Sequence, residues 1–202
     1  TVDTAAPSLE IIAPEGGSYN STGNVTVTWV ADDAMAGIDR YTVSDDGIEW
    51  TVADGLQHTF VLSDGVHILY VRAYDMAGNF NETDVTVIVD MTVPTLEIAS
   101  PADGAPLGSS LVGIVWTADD DRGIAHFLIR VDGGSWTYVG VGNLSWSIDM
   151  LLDGEHTVAV EVIDLAGNRF TDEVTFVVDT AVPEISITSP AGGSYNNNGS
   201  VT

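Results

Sequence analysis

Short runs in which apolar and polar residues alternate fill most of the chain, and Gly, Pro, Asn and Asp separate them. The run from Val25 to Val30, for example, places Val25, Val27 and Trp29 on one face of an extended strand. Alternation with a period of two is typical of strands that bury one face, whereas helices repeat every 3.6 residues. The pattern predicts an all-β protein with seven strands before residue 90. They are expected at 9–12, 25–30, 38–43, 49–52, 58–62, 66–74 and 85–89.

The strand pattern occurs twice, and the motif Val-Asp-X-X-X-Pro marks each start. The motif stands at 2–7, 89–94 and 178–183, so its Asp recurs after 87 and then 89 residues. A fixed period of this size is typical of tandem domains joined by a short linker. The predicted boundaries are 1–89 for the first repeat, 90–178 for the second, and 179–202 for the start of a third copy. Because a fragment as short as the third cannot bury a core, we interpret the chain as part of a longer array.

Matched residues in the two repeats predict structural roles. Trp29 and Trp116 are in phase with apolar strand residues, which predicts that both lie in the core. His67 and His156 each begin the strand before last. Many β-sandwiches place a Tyr at this corner, where its hydroxyl group binds the backbone a few residues upstream. The two histidines are therefore predicted to brace the corner rather than to act as ligands or bases.

Seven is an odd number of strands, so a chain that reverses after each one arrives at one end of the domain and leaves at the other. We call these the near end and the far end. The near end should hold the preceding linker, the loop after the second strand and the turn before the last strand. These three segments are rich in Asp in both repeats. Their candidate ligands are Asp3, Asp32, Asp33, Asp75 and Asn79 in the first repeat, and Asp90, Asp119, Asp120, Asp164 and Asn168 in the second.

Crowded carboxylates repel one another unless a cation lies among them. Ca²⁺ takes about six to eight oxygen ligands from carboxylates, carbonyls and amides, whereas Mg²⁺ keeps more of its waters. The sequence therefore predicts Ca²⁺ as a cofactor at each near end, where it would stiffen the linker. An alternative remains for the motif Asp-X-Ala-Gly-Asn alone, which is also typical of a tight hairpin. That alternative does not require the linker Asp or the acidic loop.

Composition limits the possible partners. Thirty acidic residues stand against five Arg and no Lys, for a formal charge of −25, which disfavours nucleic acid and anionic membranes. A surface adapted to high salt would also account for this charge. The chain has no Cys, and no apolar run approaches the roughly 20 residues of a membrane helix. The expected partners are neighbouring repeats of the same chain and laterally associated copies in a filament or surface layer.

Asn-X-Ser/Thr sequons occur in both repeats and in the start of the third copy. A high density of such sequons predicts glycosylation of an exported protein. The candidate positions are Asn20, Asn24, Asn81, Asn143 and Asn198.

Taken together, the motifs resemble those of prokaryotic Ig-like tandem repeats. They are the Val-Asp-X-X-X-Pro linker, the Trp of the second strand, the acidic loop after it, Asp-Gly-X-His and Asp-X-Ala-Gly-Asn. Such repeats are similar to fibronectin type III or immunoglobulin sandwiches and occur in bacterial adhesins and archaeal surface proteins. The resemblance implies tandem seven-stranded β-sandwich domains with Ca²⁺ at their junctions. The positions that carry over are Asp3, Asp33, Asp75 and Asn79 in the first repeat, and Asp90, Asp120, Asp164 and Asn168 in the second.

The leading functional interpretation is a structural segment of an extracellular rod, filament or stalk at the cell surface. The chief alternative is an adhesin module that recognises carbohydrate or a partner protein through aromatic residues that the repeats do not share. Its candidates are Tyr74, Tyr138 and Trp146. An enzyme is disfavoured, since paired catalytic carboxylates must flank a cleft and small sandwiches offer no obvious one.

Overall fold

The computed structural model describes residues 2–188, which form two β-sandwiches in tandem. The first sandwich contains β1 (Ser8–Ala13), β2 (Ser18–Asn20), β3 (Asn24–Asp32), β4 (Ile38–Ser44), β5 (Thr51–Ala53), β6 (Gln57–Val61), β7 (Gly65–Asp75) and β8 (Phe80–Val89). The second contains β9 (Thr95–Ser100), β10 (Ala105–Leu107), β11 (Val112–Asp119), β12 (Ile124–Val131), β13 (Thr137–Gly140), β14 (Ser145–Ile148), β15 (Gly154–Asp164) and β16 (Arg169–Val178).

Each sandwich packs a three-stranded sheet against a five-stranded one. In the first the strand orders are β1-β3-β6 and β2-β8-β7-β4-β5. The second repeats them strand for strand as β9-β11-β14 and β10-β16-β15-β12-β13. All pairs are antiparallel except β2 with β8 and β10 with β16, which are parallel. The all-β prediction and the tandem sandwich arrangement are therefore confirmed.

Each sandwich has eight strands instead of the predicted seven, because a short strand, β2 or β10, follows the first. β1 pairs with β3 up to Ala13, and the next residue, Pro14, has no N–H group with which to continue the ladder. The chain then crosses to the opposite sheet, where β2 pairs with β8. β2 runs in the same direction as β1, so this additional strand adds no reversal. The chain still leaves each sandwich at the end opposite to its arrival.

The core of each sandwich is centred on the Trp that the sequence predicted. Trp29 lies edge-on to Tyr41 with ring centroids 5.7 Å apart, and Trp116 lies edge-on to Phe127 at 5.6 Å. Valines from β7 and β8 in the first sandwich, and from β15 and β16 in the second, belong to the same buried clusters. Both Trp predictions are confirmed.

The two corner histidines bind the backbone four residues upstream. His67 Nε2 lies 2.8 Å from the Ser63 carbonyl oxygen, and His156 Nε2 lies 2.7 Å from that of Leu152. The predicted bracing role is confirmed. The second sandwich adds a contact of its own, since His156 Nδ1 lies 2.8 Å from a carboxylate oxygen of Asp132.

This added contact is expected to make the stability of the second sandwich depend on pH. The hydrogen bond to the Leu152 carbonyl raises the pKa of His156, and the Asp132 carboxylate raises it further. A pKa raised by folding means that the stabilisation is complete below the ordinary histidine value of about 6.5. It is lost as the pH rises through the folded value. We therefore expect the unfolding midpoint of the second sandwich to fall across that window.

Two measurements check this prediction. NMR titration should give His156 a pKa above the ordinary value, and thermal unfolding at several pH values should show the matching loss of stability. His156→Gln removes the titrating group and should abolish the dependence on pH in this window. A pKa for His156 at or below the ordinary value would contradict the prediction.

Within residues 2–188, no helix is long and apolar enough to cross a membrane. The predicted start of a third copy, 179–202, lies largely outside the described residues, and 179–188 form no strand.

Candidate metal centres

Three acidic side chains meet at the near end of each sandwich. The first cluster consists of Asp3 from the segment before β1, Asp33 from the β3–β4 loop and Asp75 from the end of β7. Each residue offers a carboxylate oxygen, and the three oxygens lie within 4.8 Å of one another. The second cluster, with the same limit on distance, consists of Asp90, Asp120 and Asp164. The predicted meeting of the three segments is confirmed, and metal binding stays a prediction.

Backbone N–H groups hold one oxygen of each linker and loop carboxylate. In the second cluster, Asp120 Oδ1 accepts hydrogen bonds from the N–H groups of Arg122 and Gly123 at 2.9 and 2.7 Å. Asp90 Oδ1 accepts one from Thr92 at 3.1 Å. These local turns fix the carboxylates in place. The first cluster repeats the arrangement, in which Asp33 Oδ1 accepts from Met35, Ala36 and Gly37 and Asp3 Oδ1 accepts from Ala5.

In three of these four residues the other carboxylate oxygen is buried without a partner. Asp90 Oδ2 and Asp120 Oδ2 in the second cluster, and Asp3 Oδ2 in the first, have no hydrogen bond within the described residues. Asp90 is 0% exposed. Burying an unpaired charged oxygen is costly, and such groups in proteins are normally paired or coordinate a metal. The unpaired oxygens therefore fit a divalent cation, and a hairpin role alone does not account for them.

The electrostatics of Asp90 agree with this geometry. Burial raises its pKa, and the negative charges of Asp120, Asp164 and Asp121 raise it further, against the hydrogen bond from Thr92. The ionised form is thus disfavoured where Asp90 lies. Asp75 differs, because although burial alone would raise its pKa, hydrogen bonds from Asn79 and from backbone N–H groups lower it.

Asn79 and Asn168 hold the clusters together through their side-chain amides. Asn168 Nδ2 donates to Asp164 Oδ2 at 2.8 Å and to the Asp90 carbonyl oxygen at 2.9 Å. Asn79 Nδ2 makes the equivalent bonds to Asp75 Oδ2 at 2.8 Å and to the Asp3 carbonyl oxygen at 3.4 Å. These bonds use Nδ2 and not Oδ1, the atom through which an amide ligates a cation, so the predicted ligand role of Asn79 and Asn168 stays a prediction. The contacts also give both residues a bracing role that the sequence did not predict.

Asp32 and Asp119 do not join the clusters, which corrects their place in the predicted ligand set. Both are exposed last residues of strands, β3 and β11. Their carbonyl oxygens accept hydrogen bonds from Ser8 Oγ and Thr95 Oγ1, each at 3.0 Å. Consecutive side chains in an extended chain point to opposite sides, so the acid next to each of them is the one that reaches the cluster.

The predicted glycosylation sites differ in their exposure and in whether their side chains already make hydrogen bonds. Asn20 Oδ1 accepts hydrogen bonds from Thr22 and Gly23, and Asn81 Nδ2 donates to the Pro7 carbonyl oxygen. Asn24 and Asn143 are exposed, whereas Asn198 lies outside the described residues. Attaching a glycan to Asn81 would replace one of the two hydrogens on the nitrogen that donates to Pro7. Glycosylation itself stays a prediction.

The sequence predicted no role for Asp64, although its motif occurs in both repeats. Asp64 Oδ2 accepts the N–H group of Met91 in the linker at 2.9 Å. Asp153, at the matching position, accepts the N–H and hydroxyl groups of Thr180 at 2.9 and 2.8 Å. The recurring Asp-Gly pair at the far end was the available signal for this role.

Comparison with known proteins agrees with the fold. A family model described as a bacterial Ig domain matches residues 7–71 and 94–160. Bacillopeptidase F of Bacillus subtilis (strain 168) is 28% identical over 188 residues, which are 92% of this chain and 13% of that protein. Halomucin of Haloquadratum walsbyi (strain DSM 16790 / HBSQ001) is 27% identical over 153 residues, which are 70% of this chain and 2% of that protein. The chain therefore spans only a small part of either relative.

Among solved structures, the fibronectin(III)-like modules of CbhA from Clostridium thermocellum superpose with a TM-score of 0.57 at 17% identity. The match covers 89% of this chain and 99% of that one, and at this identity it concerns the fold alone. The two stretches matched by the family model fall one in each sandwich and together span more than half of the residues. The chain belongs to the bacterial Ig domain family.

Proposed function

We propose that this chain is a structural repeat segment of an extracellular rod, filament or stalk, and that Ca²⁺ stiffens its domain junctions. Bacterial Ig domains are typically structural or binding modules without catalytic activity. Each sandwich receives the chain at one end and releases it at the other, so successive repeats extend the molecule instead of folding back. This arrangement suits a spacer.

The geometry of Asp90 carries the proposal. Its N–H group donates to the Asn20 carbonyl oxygen of the first sandwich at 2.9 Å. Its own carbonyl oxygen accepts from Asn168 of the second sandwich, and its side chain lies in the second cluster. A cation shared with Asp120 and Asp164 would fasten this linker residue to two loops of the second sandwich. The linker would then have little freedom left.

The donor set favours Ca²⁺ over other divalent ions. The clusters offer only oxygen atoms, which hard cations prefer, and their residues lie on loops or at the end of a strand. Two ligands of one Ca²⁺ can lie at most about 4.6–5.2 Å apart, twice the usual Ca–O distance. The carboxylate oxygens of each cluster lie within 4.8 Å of one another, close enough to share one Ca²⁺. Mg²⁺ keeps several of its waters and takes fewer protein ligands.

Small-angle X-ray scattering tests the proposal. With Ca²⁺ the wild-type chain should keep a narrow distribution of interdomain distances, and excess chelator should broaden it because the linker is released. Asp90→Asn should look like the chelated protein in both conditions. Asp33→Asn, which alters only the first cluster, should keep the Ca²⁺ response of the junction. Profiles that do not change with chelator would contradict the proposal.

The adhesin alternative receives less support. Tyr74 lies on the outer face of the first five-stranded sheet, whereas Tyr138 lies in the second sandwich. Trp146 is opposite the buried Ile114 in a three-stranded sheet. The three candidates therefore form no common surface. The Tyr74 ring already contacts a neighbouring side chain, since the Arg40 guanidinium lies 4.0 Å from the ring centre.

A further inference from the structure

The two sandwiches also contact each other directly, through a pair of charged side chains. Arg122, in the β11–β12 loop of the second sandwich, places Nη2 3.5 Å from Asp64 Oδ1 in the β6–β7 turn of the first. The side chains are 26% and 38% exposed, so both are partly withdrawn from water. This contact brings the far end of one repeat to the near end of the next.

Asp64 joins this contact to the linker. Its second carboxylate oxygen, Oδ2, accepts the N–H group of Met91 at 2.9 Å. On the other side, the backbone N–H group of Arg122 donates to Asp120 Oδ1 in the second cluster. A continuous series of contacts therefore runs from the cluster through Arg122 and Asp64 to the linker. The loop that supplies a cluster carboxylate also supplies the arginine.

We propose that Asp64 and Arg122 form a latch by which one repeat recognises the loop of the repeat that follows and fixes its orientation. The inference rests on the proposed role as a rod and adds a second, ion-independent element to the junction. Cation binding would hold the linker to the second sandwich alone. The latch connects the two sandwiches themselves, so it restricts rotations that the linker permits.

The latch belongs to this junction and not to every repeat. Gly37 in the first sandwich and Gly123 in the second occupy equivalent positions. The Gly37 carbonyl oxygen accepts the N–H group of Met76, which follows β7, and the Gly123 carbonyl oxygen accepts that of Leu165, which follows β15. The residue before each Gly is therefore matched, and it is Ala36 in the first sandwich and Arg122 in the second. At the far end, both sandwiches have the same acid, which is Asp64 in the first and Asp153 in the second. A following repeat would thus be latched only when its loop presents a cation before the Gly.

Distance measurements by electron paramagnetic resonance test the latch. The chain contains no Cys, so spin labels can be placed solely at Val61→Cys and Val141→Cys. These positions are 83% and 54% exposed and lie in different sandwiches. Arg122→Ala gives the second loop the residue found in the first. Asp64→Asn removes the charge while keeping an acceptor for the Met91 N–H group.

With saturating Ca²⁺, each variant should raise the population outside the main distance peak by about two- to fivefold. This range corresponds to the free energy that a partly exposed ion pair contributes. Arg40→Ala is the matched control, because it removes an equal charge from a pair with Asp39 in the first sandwich. It should leave the distribution unchanged. Calorimetric Ca²⁺ binding is measured on the same proteins.

The outcomes separate the latch from the calcium proposal. If both variants keep the wild-type distribution, the latch is overturned, whatever Ca²⁺ does. If the variants broaden the distribution and Arg40→Ala does not, the latch is supported. If, in addition, the wild-type protein binds no Ca²⁺ and ignores chelator, the calcium-stiffened junction is overturned while the latch stands.

Discussion

Replacing Trp116 with alanine is expected to unfold the second sandwich at temperatures at which the first stays folded. Trp116 is almost fully buried and packs against Phe127 in the centre of its core. Its Nε1 has no hydrogen-bond partner within the described residues, so the loss is one of packing. Removing a buried Trp side chain costs about 3–5 kcal/mol. Since a domain has a total stability of about 5–15 kcal/mol, this is a large fraction.

Differential scanning calorimetry checks this expectation. The substitution should move one transition to much lower temperature and leave the transition of the first sandwich in place. Trp146→Ala is the control, because that side chain is 37% exposed and its removal should cost far less. If both transitions moved together, the two sandwiches would unfold as one unit, and the account of separate cores would be wrong.

Asp90→Asn is expected to have opposite effects without and with Ca²⁺. Its pKa is raised by burial and by nearby carboxylates, so the ionised group lowers stability at neutral pH in the absence of a cation. Removing that charge should stabilise the ion-free second sandwich by about 1–3 kcal/mol. Asparagine keeps the acceptor for the Thr92 N–H group but is a poorer ligand. The stabilisation by Ca²⁺, about 2.7 kcal/mol at 100 times Kd, should therefore be lost.

Thermal unfolding in chelator and in Ca²⁺ reveals this inversion. For a domain of this size, each kcal/mol moves the midpoint by about 4–8 degrees, so shifts of roughly 5–20 degrees are expected. Asp32→Asn removes an equal charge from an exposed acid outside the clusters and should change neither condition appreciably. A lower midpoint for Asp90→Asn in chelator, or a full Ca²⁺ response in that variant, would show that Asp90 is not a buried cation ligand.

The sequence predicted those features that depend on local pattern. Alternation of Val25, Val27 and Trp29 with polar residues was enough to predict β3, because burying one face of a strand requires that pattern. β2 was missed because it has three residues and exists only through pairing with β8, which lies far away in sequence. Its formation depends on where the chain crosses between sheets, and that is decided by the whole sandwich.

The candidate site shows the same limit. Counting strands predicted that the linker, the β3–β4 loop and the β7–β8 turn would meet, since that follows from alternating direction. Strand counting alone could not distinguish Asp33 from Asp32, because the choice depends on the residue at which β3 ends and on the turn that Asp33 caps. The family resemblance did select Asp33 and Asp120, the two loop acids that lie in the clusters. Arg122 and Asp64 carried no local signal for each other, since they belong to different sandwiches.

The most direct test of the account is isothermal titration of Ca²⁺ into the metal-free chain. The two clusters predict two bound ions per chain, with Mg²⁺ binding much more weakly. Asp90→Asn should remove one of them, and Asp75→Asn the other. If the wild-type chain bound no Ca²⁺ at millimolar concentration, or if both variants bound as much as the wild type, the carboxylate clusters would not be calcium sites and the metal-stiffened junction would be wrong.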